Sequence, residues 1–153
     1  MSAIKVLVSA CLLGEAVRYD GRDNQISHPF LRDLLDKDAI VPACPETLGG
    51  LPTPRPYAEI VQRFPIQIIA SDQTDVTDEF VTGAEITLQL AQKHGCVAAL
   101  MKAGSPSCGN KAGSTGVAAE ELLRHGLPVF NEDQIDELES FLLQSTADLA
   151  ITA

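Results

Sequence analysis

Short apolar runs alternate with helical hydrophobic periods along this chain of 153 residues, and this alternation restricts the folds it can adopt. Apolar runs at 4–9, 39–43, 97–101 and 127–130 have the length of buried strands, and helical patterns lie between them. This order is typical of a parallel sheet covered by helices, because parallel strands need long crossover connections. We therefore predict a single α/β domain over residues 1–153, a Rossmann-like three-layer sandwich with a mainly parallel sheet.

Helix and turn signals occupy the segments between these strands. Ser27 is the candidate cap of a first helix with Pro29 in its first turn, and this helix is expected to bury Phe30, Leu31, Leu34 and Leu35. Residues 75–77 supply caps for a long helix. Residues 57–71 contain two β-like runs, which predict a hairpin or an edge element.

The last helix and the turn-rich segment have equally clear signals. Asn131 with Gln134 resembles a capping box at the start of the last helix. Residues 48–56 contain two adjacent glycines and three prolines, so they predict a shaped loop.

Charge and hydropathy limit the classes of partner. The net charge is −10 with only 11 Lys and Arg, whereas a nucleic-acid surface gathers several cations on one face, so a small-molecule substrate is favoured. No apolar run reaches the ~18 residues of a membrane span, and the first strand follows without a basic region, signal core and cleavage site, so we expect no signal peptide. We expect a cytoplasmic protein whose four cysteines are reduced, which favours metal binding or catalysis over disulfides. The pattern does not predict an oligomeric state.

Three cysteines follow three predicted strands. Cys11 comes two residues after the first strand, Cys44 directly after the second, and Cys108 lies in the loop after the third. The carboxyl ends of parallel strands form one edge of a sheet, so these thiols are expected to meet there. Cys96 precedes the third strand and belongs to the opposite edge, where a buried cysteine that only packs is the simpler interpretation. Packing alone remains an alternative for the other three, because no Cys-x-x-Cys pair occurs.

Five motifs carry a resemblance to a known family. In order along the chain, the segments SACLLG, VRYDG, CPETLGGLPTPRP, DVTDEF and SPSCG resemble the 2-thiouracil desulfidases; they occupy residues 9–14, 17–21, 44–56, 75–80 and 105–109. The similarity extends over nearly the whole chain. One departure is the short segment 110–115, because members of the family usually carry a longer stretch there.

The resemblance implies a cofactor and a reaction. It implies a 4Fe–4S cluster bound by Cys11, Cys44 and Cys108, with one iron lacking a protein ligand, and catalytic roles for Glu46 and Ser105. That iron would act as a Lewis acid on the sulfur of a thiolated pyrimidine, namely 2-thiouracil, 4-thiouracil or their nucleotides. The products would be uracil and sulfide, without net electron transfer.

The residues themselves leave several roles open. Glu46 also fits a solvated loop carboxylate, and Ser105 a turn residue before proline. Arg55 is a candidate for substrate binding, and it equally fits a cation that pins its own loop to a carboxylate. Tyr19 and Asp20 follow the first strand loop and are further candidates for substrate binding, although Asp20 with the next glycine also predicts a structural turn.

Rival functions belong to other classes. Three cysteines with a water and a nearby carboxylate also fit a zinc hydrolase or deaminase acting on a pyrimidine, but the paired Pro-Cys-x-x-Cys element is missing. A non-enzymatic Fe–S carrier is a second alternative, which would be expected to use four thiolates. A plain nucleotide-binding domain ranks last, because neither G-x-G-x-x-G nor a Walker loop occurs.

Overall fold

The structure, a computed structural model, describes the backbone of residues 4–111 and 114–152 and the side chains as far as residue 144. In chain order its elements are β1 (Lys5–Ser9), a 3-10 turn (Ala10–Leu13), α1 (Pro29–Asp36), β2 (Ile40–Ala43), α2 (Pro45–Leu48), β3 (Ala58–Arg63), β4 (Ile66–Ala70), α3 (Thr77–Lys93), β5 (Cys96–Leu100), α4 (Val117–Arg124), β6 (Val129–Phe130) and α5 (Ile135–Thr152). None of the helices in the described part combines the length and the hydropathy that a bilayer crossing requires.

The main sheet has four strands in the order β2-β1-β5-β6, and all of its pairings are parallel. Val6 of β1 pairs with Ile40 on one side and with Ala98 on the other. The prediction of a mainly parallel sheet is confirmed. From β1 the chain continues to β2 on one side of the sheet, and from β5 it continues to β6 on the other side. The loops that follow β1 and β5 therefore leave the carboxyl edge at a topological switch point, where open α/β sheets bind ligands.

Side chains of the sheet alternate between two cores. Leu7, Ala99 and Met101 face a core completed by α3 and α4, whereas Val6, Val8, Ala98 and Leu100 face a core completed by α1 and α5. Successive side chains of a strand point to opposite faces, which explains this division. Helices thus cover both faces, as the predicted three-layer sandwich requires.

The predicted hairpin forms a second sheet of its own. Strands β3 and β4 pair antiparallel, and no strand of the main sheet pairs with them among the described residues. Ala58 and Ile68 pack with Phe80 of α3, so the hairpin is attached at the start of that helix. Arg63 donates from Nη1 to the carbonyl of Thr115 at 2.9 Å and links the hairpin to the segment before α4.

A short helix, α2, begins immediately after Cys44 and lies directly against α3. A Cβ on Gly83 would come within 1.9 Å of the carbonyl oxygen of Pro45, and a Cβ on Gly49 within 1.9 Å of the carbonyl oxygen of Glu79. Only glycine at both positions permits so close an approach of the two backbones. This contact fixes the position of α2 relative to α3.

The first helix differs from its prediction in two respects. His28, not Ser27, caps α1, and its Nδ1 accepts the N–H of Phe30 at 3.0 Å. Leu35 is 51% exposed and not buried, although it lies one helical turn after the buried Leu31. The expectations for Ser27 and Leu35 were therefore wrong.

The other helix starts follow the sequence signals more closely. Asp75 Oδ1 accepts the N–H of Thr77 at 2.9 Å at the start of α3. Before α5, Gln134 Oε1 accepts the N–H of Asn131 at 3.0 Å, which is the returning half of a capping box. Asn131 Oδ1 accepts the N–H of Asp133 at 2.8 Å, one residue earlier than a full capping box requires.

Candidate active site

A cavity of about 260 Å³ opens at the carboxyl edge of the main sheet, and Cys11, Cys44 and Cys108 all line it. Cys96 does not line this cavity; it pairs in register with Lys5 at the beginning of β1, which is the opposite edge. All four cysteines are free thiols. The three thiols predicted to meet are therefore brought together, and the fourth is kept apart.

Each cysteine of the cavity is held by a loop that follows a strand. Cys11 lies in the 3-10 turn after β1, and Asn24 Nδ2 donates to its Sγ at 3.5 Å. Cys44 lies between β2 and α2, with its Sγ at 3.9 Å from the carbonyl of Val17. Cys108 is buried in the loop after β5, with Ser107 Oγ at 3.6 Å from its Sγ. Polar groups thus reach all three sulfurs.

Burial opposes the ionisation of two of these thiols, Cys108 and Cys11. It raises the pKa of Cys108 to about 12, against hydrogen bonds from Ser9 and Ser107 that lower it. Burial also raises the pKa of Cys11, where the hydrogen bond from Asn24 opposes the shift and the electrostatic interaction with Cys44 adds to it. A metal that binds here must displace protons, since thiolates are the ligand form of cysteine.

The donor set fits a polynuclear cluster. Among residues 4–111 and 114–144, no three His, Cys, Asp or Glu side chains converge as ligands of a single metal ion. The thiols of Cys11, Cys44 and Cys108 are instead distributed over the wall of one cavity. Thiolates are the ligands of Fe–S clusters, and hydrogen bonds to the cluster sulfurs help to set the reduction potential of the cluster. The cavity, the three thiols and the nearby hydrogen-bond donors that a cluster needs are therefore all present.

Glu46 lies in the first turn of α2, two residues after Cys44, and lines the same cavity. Both oxygens of its carboxylate are held: Oε1 accepts from Arg55 Nε at 3.0 Å, and Oε2 accepts from Ser107 Oγ at 2.8 Å. Its side chain is 14% exposed. A carboxylate fixed in this way faces the cavity in one orientation and is not a freely solvated loop residue.

Arg55 uses its guanidinium to join its own loop to α2 and to the loop after β1. Besides the bond to Glu46, Nη1 donates to the carbonyl of Pro52 and to Thr53 Oγ1, each at 3.1 Å, and Nη2 donates to the carbonyl of Val17 at 2.9 Å. The side chain is 4% exposed. The pinning of its own loop to a carboxylate, one of the two predicted roles of Arg55, is the arrangement observed. A substrate contact of Arg55 stays a prediction.

Ser105 lines the cavity and also closes the turn that carries Cys108. Its Oγ accepts the N–H of Ser107 at 3.2 Å and the N–H of Cys108 at 3.1 Å. The carbonyl of Ser107 in turn accepts the N–H of Ala118 at 2.9 Å, at the start of α4. The Ser105 turn is thus held by the sheet on one side and by a helix on the other, so a structural role exists whether or not Ser105 takes part in catalysis.

The mouth of the cavity is aromatic. The ring of Tyr19 lies 5.4 Å from that of Tyr57, edge to face, and both residues line the cavity. Asp20 does not line it; its carboxylate pairs with Arg18 Nη2 at 3.2 Å. Gly21 donates its N–H to the carbonyl of Arg18 at 2.9 Å, which forms the structural turn predicted as an alternative. The structure therefore places Tyr19 at the cavity and Asp20 beside it.

The comparisons with known proteins agree with this geometry. Residues 6–134 match the family described as 2-thiouracil desulfurase. The chain belongs to the 2-thiouracil desulfurase family. The family predicted from the five motifs is thereby confirmed, and with it the prediction that the chain is an enzyme.

Two relatives of this family member match most of its length. A Bacillus subtilis (strain 168) protein named YbbK, described as uncharacterized, is 34% identical over 151 residues, covering 87% of this chain and 99% of its own. The solved structure of the 4Fe–4S-dependent thiouracil desulfidase TudS is 41% identical with a TM-score of 0.87, covering 93% of this chain and 99% of that one. These matches support the desulfidase interpretation over the zinc, carrier and nucleotide-binding alternatives.

Three polar residues of this desulfurase-family site were not predicted. Ser107 is 2% exposed and donates a hydrogen bond to Glu46. The SPSC motif contains two serines, and the sequence alone does not indicate that the second one contacts Glu46. Asn24 donates to Cys11 from a loop without regular structure, so no periodicity in the sequence predicts that it lies at the site. Glu132 forms an ion pair with Lys102, with 2.8 Å between Oε2 and Nζ, beside the cavity; it lies two residues after the last strand, a position that could have identified it.

Proposed function

We propose that this chain is a 4Fe–4S-dependent thiouracil desulfidase that removes sulfur from 2-thiouracil and gives uracil and sulfide. The observation that carries the proposal is the meeting of Cys11, Cys44 and Cys108 with the carboxylate of Glu46 in one cavity. Family membership and the cofactor and substrate named for TudS support it. The products differ from the reactants by exchange of a C–S for a C–O bond with water, so no electron donor or acceptor is needed.

Three thiolates and their neighbours would hold the cofactor. Cys11, Cys44 and Cys108 are the ligands; Asn24 Nδ2 places a donor 3.5 Å from Cys11 Sγ, and Ser107 Oγ lies 3.6 Å from Cys108 Sγ. When bound, a 4Fe–4S cluster with three protein thiolates supplies one iron without a protein ligand, a Lewis acid suited to a thiocarbonyl sulfur.

Glu46 is the general base of the proposal. Water that attacks the carbon bearing sulfur must lose a proton, and a carboxylate facing the cavity accepts it. The charged hydrogen bond from Arg55 Nε keeps the carboxylate aimed at the cavity while the proton moves. The proton is then available for the departing sulfide or for the ring nitrogen.

Ser105 and the aromatic mouth would position the pyrimidine. Ser105 lines the cavity, and its hydroxyl lies in the same loop as Cys108. Tyr19 and Tyr57 offer aromatic faces and edges to a planar ring entering from solvent. A filled mouth also excludes bulk water, which strengthens the polar contacts inside.

The test is an anaerobic assay of sulfide release. Protein reconstituted with iron and sulfide is given 2-thiouracil, 4-thiouracil, their nucleotides and thiolated tRNA, and metal-free and zinc-loaded protein serve as matched controls. We expect sulfide and uracil from 2-thiouracil with iron-loaded protein alone. Equal turnover by zinc-loaded protein, or no turnover of any substrate by protein of full iron content, would overturn the proposal. The net charge of −10 predicts that tRNA is the poorest substrate.

A further inference from the structure

Ser107 is a buried polar residue at the centre of the site. Its side chain contacts three residues that have a role in the proposed function. Its Oγ lies 2.8 Å from Glu46 Oε2, 3.0 Å from Ser105 Oγ and 3.6 Å from Cys108 Sγ. The residue is 2% exposed. A hydroxyl in such a place needs all of its hydrogen-bonding capacity, because an unpaired buried polar group is costly.

The directions of these hydrogen bonds follow from counting donors and acceptors. A serine hydroxyl has one proton and two acceptor positions. Ser105 Oγ accepts two backbone N–H groups, those of Ser107 and Cys108, at 3.2 and 3.1 Å. Its own proton is therefore directed to Ser107 Oγ, and the proton of Ser107 is directed to the carboxylate of Glu46. The result is an ordered row of hydrogen bonds from Ser105 through Ser107 to Glu46.

The backbone around Ser107 keeps this row in place. The carbonyl of Ser107 accepts the N–H groups of Ala118 and Ala119 at 2.9 and 3.1 Å, so it is fixed to the first turn of α4. A Cβ on Gly116 would lie 2.5 Å from the carbonyl carbon of Ser107, which shows how closely the two segments pack. The side chain of Ser107 thus starts from a backbone with little freedom.

We propose that Ser107 is a positioning residue that sets the orientation of the Glu46 carboxylate relative to Ser105. Arg55 holds one oxygen of this carboxylate, and Ser107 holds the other. Two fixed oxygens prevent rotation of the carboxylate plane, which one hydrogen bond alone does not. The catalytic consequence rests on the proposed desulfidase function, whereas the pairing of Ser107 with Glu46 exists in the metal-free protein as well.

The experiment is a double-mutant cycle made from Ser107→Ala, Glu46→Ala and the double variant. Each protein is reconstituted anaerobically, its iron is counted, and kcat and KM for 2-thiouracil are measured. Urea unfolding of the four metal-free proteins gives a readout that does not depend on turnover. Ser107→Thr keeps the hydroxyl, and Thr87→Val removes a fully buried hydroxyl of α3 that donates to Gly83 at 2.7 Å, outside the site.

We expect Ser107→Ala to keep its iron and to lower kcat roughly 10- to 100-fold, the range of a charge-assisted hydrogen bond, with KM within about twofold. Ser107→Thr restores most of kcat, and Thr87→Val leaves kcat within about twofold of the wild type. In the Glu46→Ala background, Ser107→Ala adds less than about a twofold further loss, and the two substitutions shift the urea midpoint non-additively.

Three results would refute the positioning role. They are a kcat for Ser107→Ala close to that of the wild type, losses that multiply in the double variant, or loss of iron in Ser107→Ala and Ser107→Thr alike. If wild-type protein with full iron content releases no sulfide, the proposed function fails instead. The coupling between Ser107 and Glu46 in the metal-free proteins then still decides this inference, with additive midpoint shifts counting against it.

Discussion

Arg55 Nε lies 3.0 Å from Glu46 Oε1, and the two side chains are 4% and 14% exposed. A pair so well shielded from water is one in which removal of either partner leaves a buried charge without compensation. The guanidinium of Arg55 also makes two hydrogen bonds within its own loop and one to the carbonyl of Val17 in the loop after β1. The pair therefore connects the loop after β1 with α2, the element that presents Glu46.

Replacement of the guanidinium by an ammonium tests this connection. We expect Arg55→Lys to lower the free energy of unfolding of the metal-free protein by about 3 kcal/mol, because a lysine cannot reproduce the planar fork of donors. Urea unfolding measures the change, with Arg32→Lys on the exposed face of α1 as the matched control. If KM for 2-thiouracil rises while stability is unchanged, Arg55 contacts substrate and the pinning role is secondary.

Replacement of the carboxylate tests the general base. Glu46→Gln keeps the shape of the side chain and one acceptor oxygen, so we expect full iron incorporation. Sulfide release should fall by about 10²- to 10⁴-fold, the usual contribution of a general acid or base. Iron content and initial rates are compared in the same preparation. A rate near that of the wild type would remove Glu46 from the proposed chemistry.

The cysteines make the sharpest prediction about the cofactor. Cys11→Ala, Cys44→Ala and Cys108→Ala should each abolish stable iron incorporation, because each removes one of three thiolate ligands. Cys96→Ala should retain it, since Cys96 lies at the opposite edge of the sheet. Iron and acid-labile sulfide are counted after anaerobic reconstitution. Iron lost from the Cys96 variant, or kept by any of the others, contradicts the assignment of ligands.

The contact between α2 and α3 predicts the effect of a single methyl group. Gly83→Ala would place a Cβ 1.9 Å from the carbonyl oxygen of Pro45, so α2 has to move. We expect a loss of about 1–3 kcal/mol in the free energy of unfolding together with reduced iron incorporation. Thr82→Ala, on the exposed face of the same helix, is the control. A Gly83 variant that binds iron normally would show that α2 tolerates displacement.

The pair of Lys102 and Glu132 predicts a dependence on pH. Although burial opposes it, hydrogen bonds from Lys102 and from the N–H of Ala103 hold the pKa of Glu132 below its usual 4.5. A carboxylate with a lowered pKa stabilises the fold above its unfolded pKa and loses this effect as the pH falls through the folded value. Glu132→Gln should therefore be less stable than the wild type at pH 7, and the difference should shrink below about pH 4.5.

Urea unfolding across this range measures the effect of Glu132. Glu15→Gln, which replaces an exposed carboxylate, provides the comparison. A difference between wild type and Glu132→Gln that stays constant from pH 7 to pH 4 would mean that Lys102 does not interact with the ionised form.

Hydrophobic periodicity was sufficient to predict the strands and the long helices. The runs that became β1 and β5 are covered on both faces, which is why they appear as unbroken apolar segments, whereas β2 at the edge of the sheet exposes Pro42. Once those strands were predicted, the placement of the three cysteines at one edge of the sheet could be predicted as well. Strand order did not, because the pairing of β1 with β5 depends on contacts between segments far apart along the chain.

What the sequence did not predict depends on close packing. The helix α2 is only four residues long and is hidden among glycine and proline signals that favour a loop. The choice of His28 over Ser27 as a cap depends on the angle at which the chain enters α1. The importance of Ser107 arises from its distances to Glu46 and Ser105, and these are set by the contact of its loop with α4.

The meeting of Gly49 and Gly83 has a mechanical consequence. Two backbones in direct contact leave no compressible side chains between them, so α2 and α3 are expected to move as one body. The hairpin is anchored on the same helix through Phe80. A force or ligand that tilts the hairpin would thus be transmitted through α3 to the base of the cavity, where one thiol and one carboxylate would shift together.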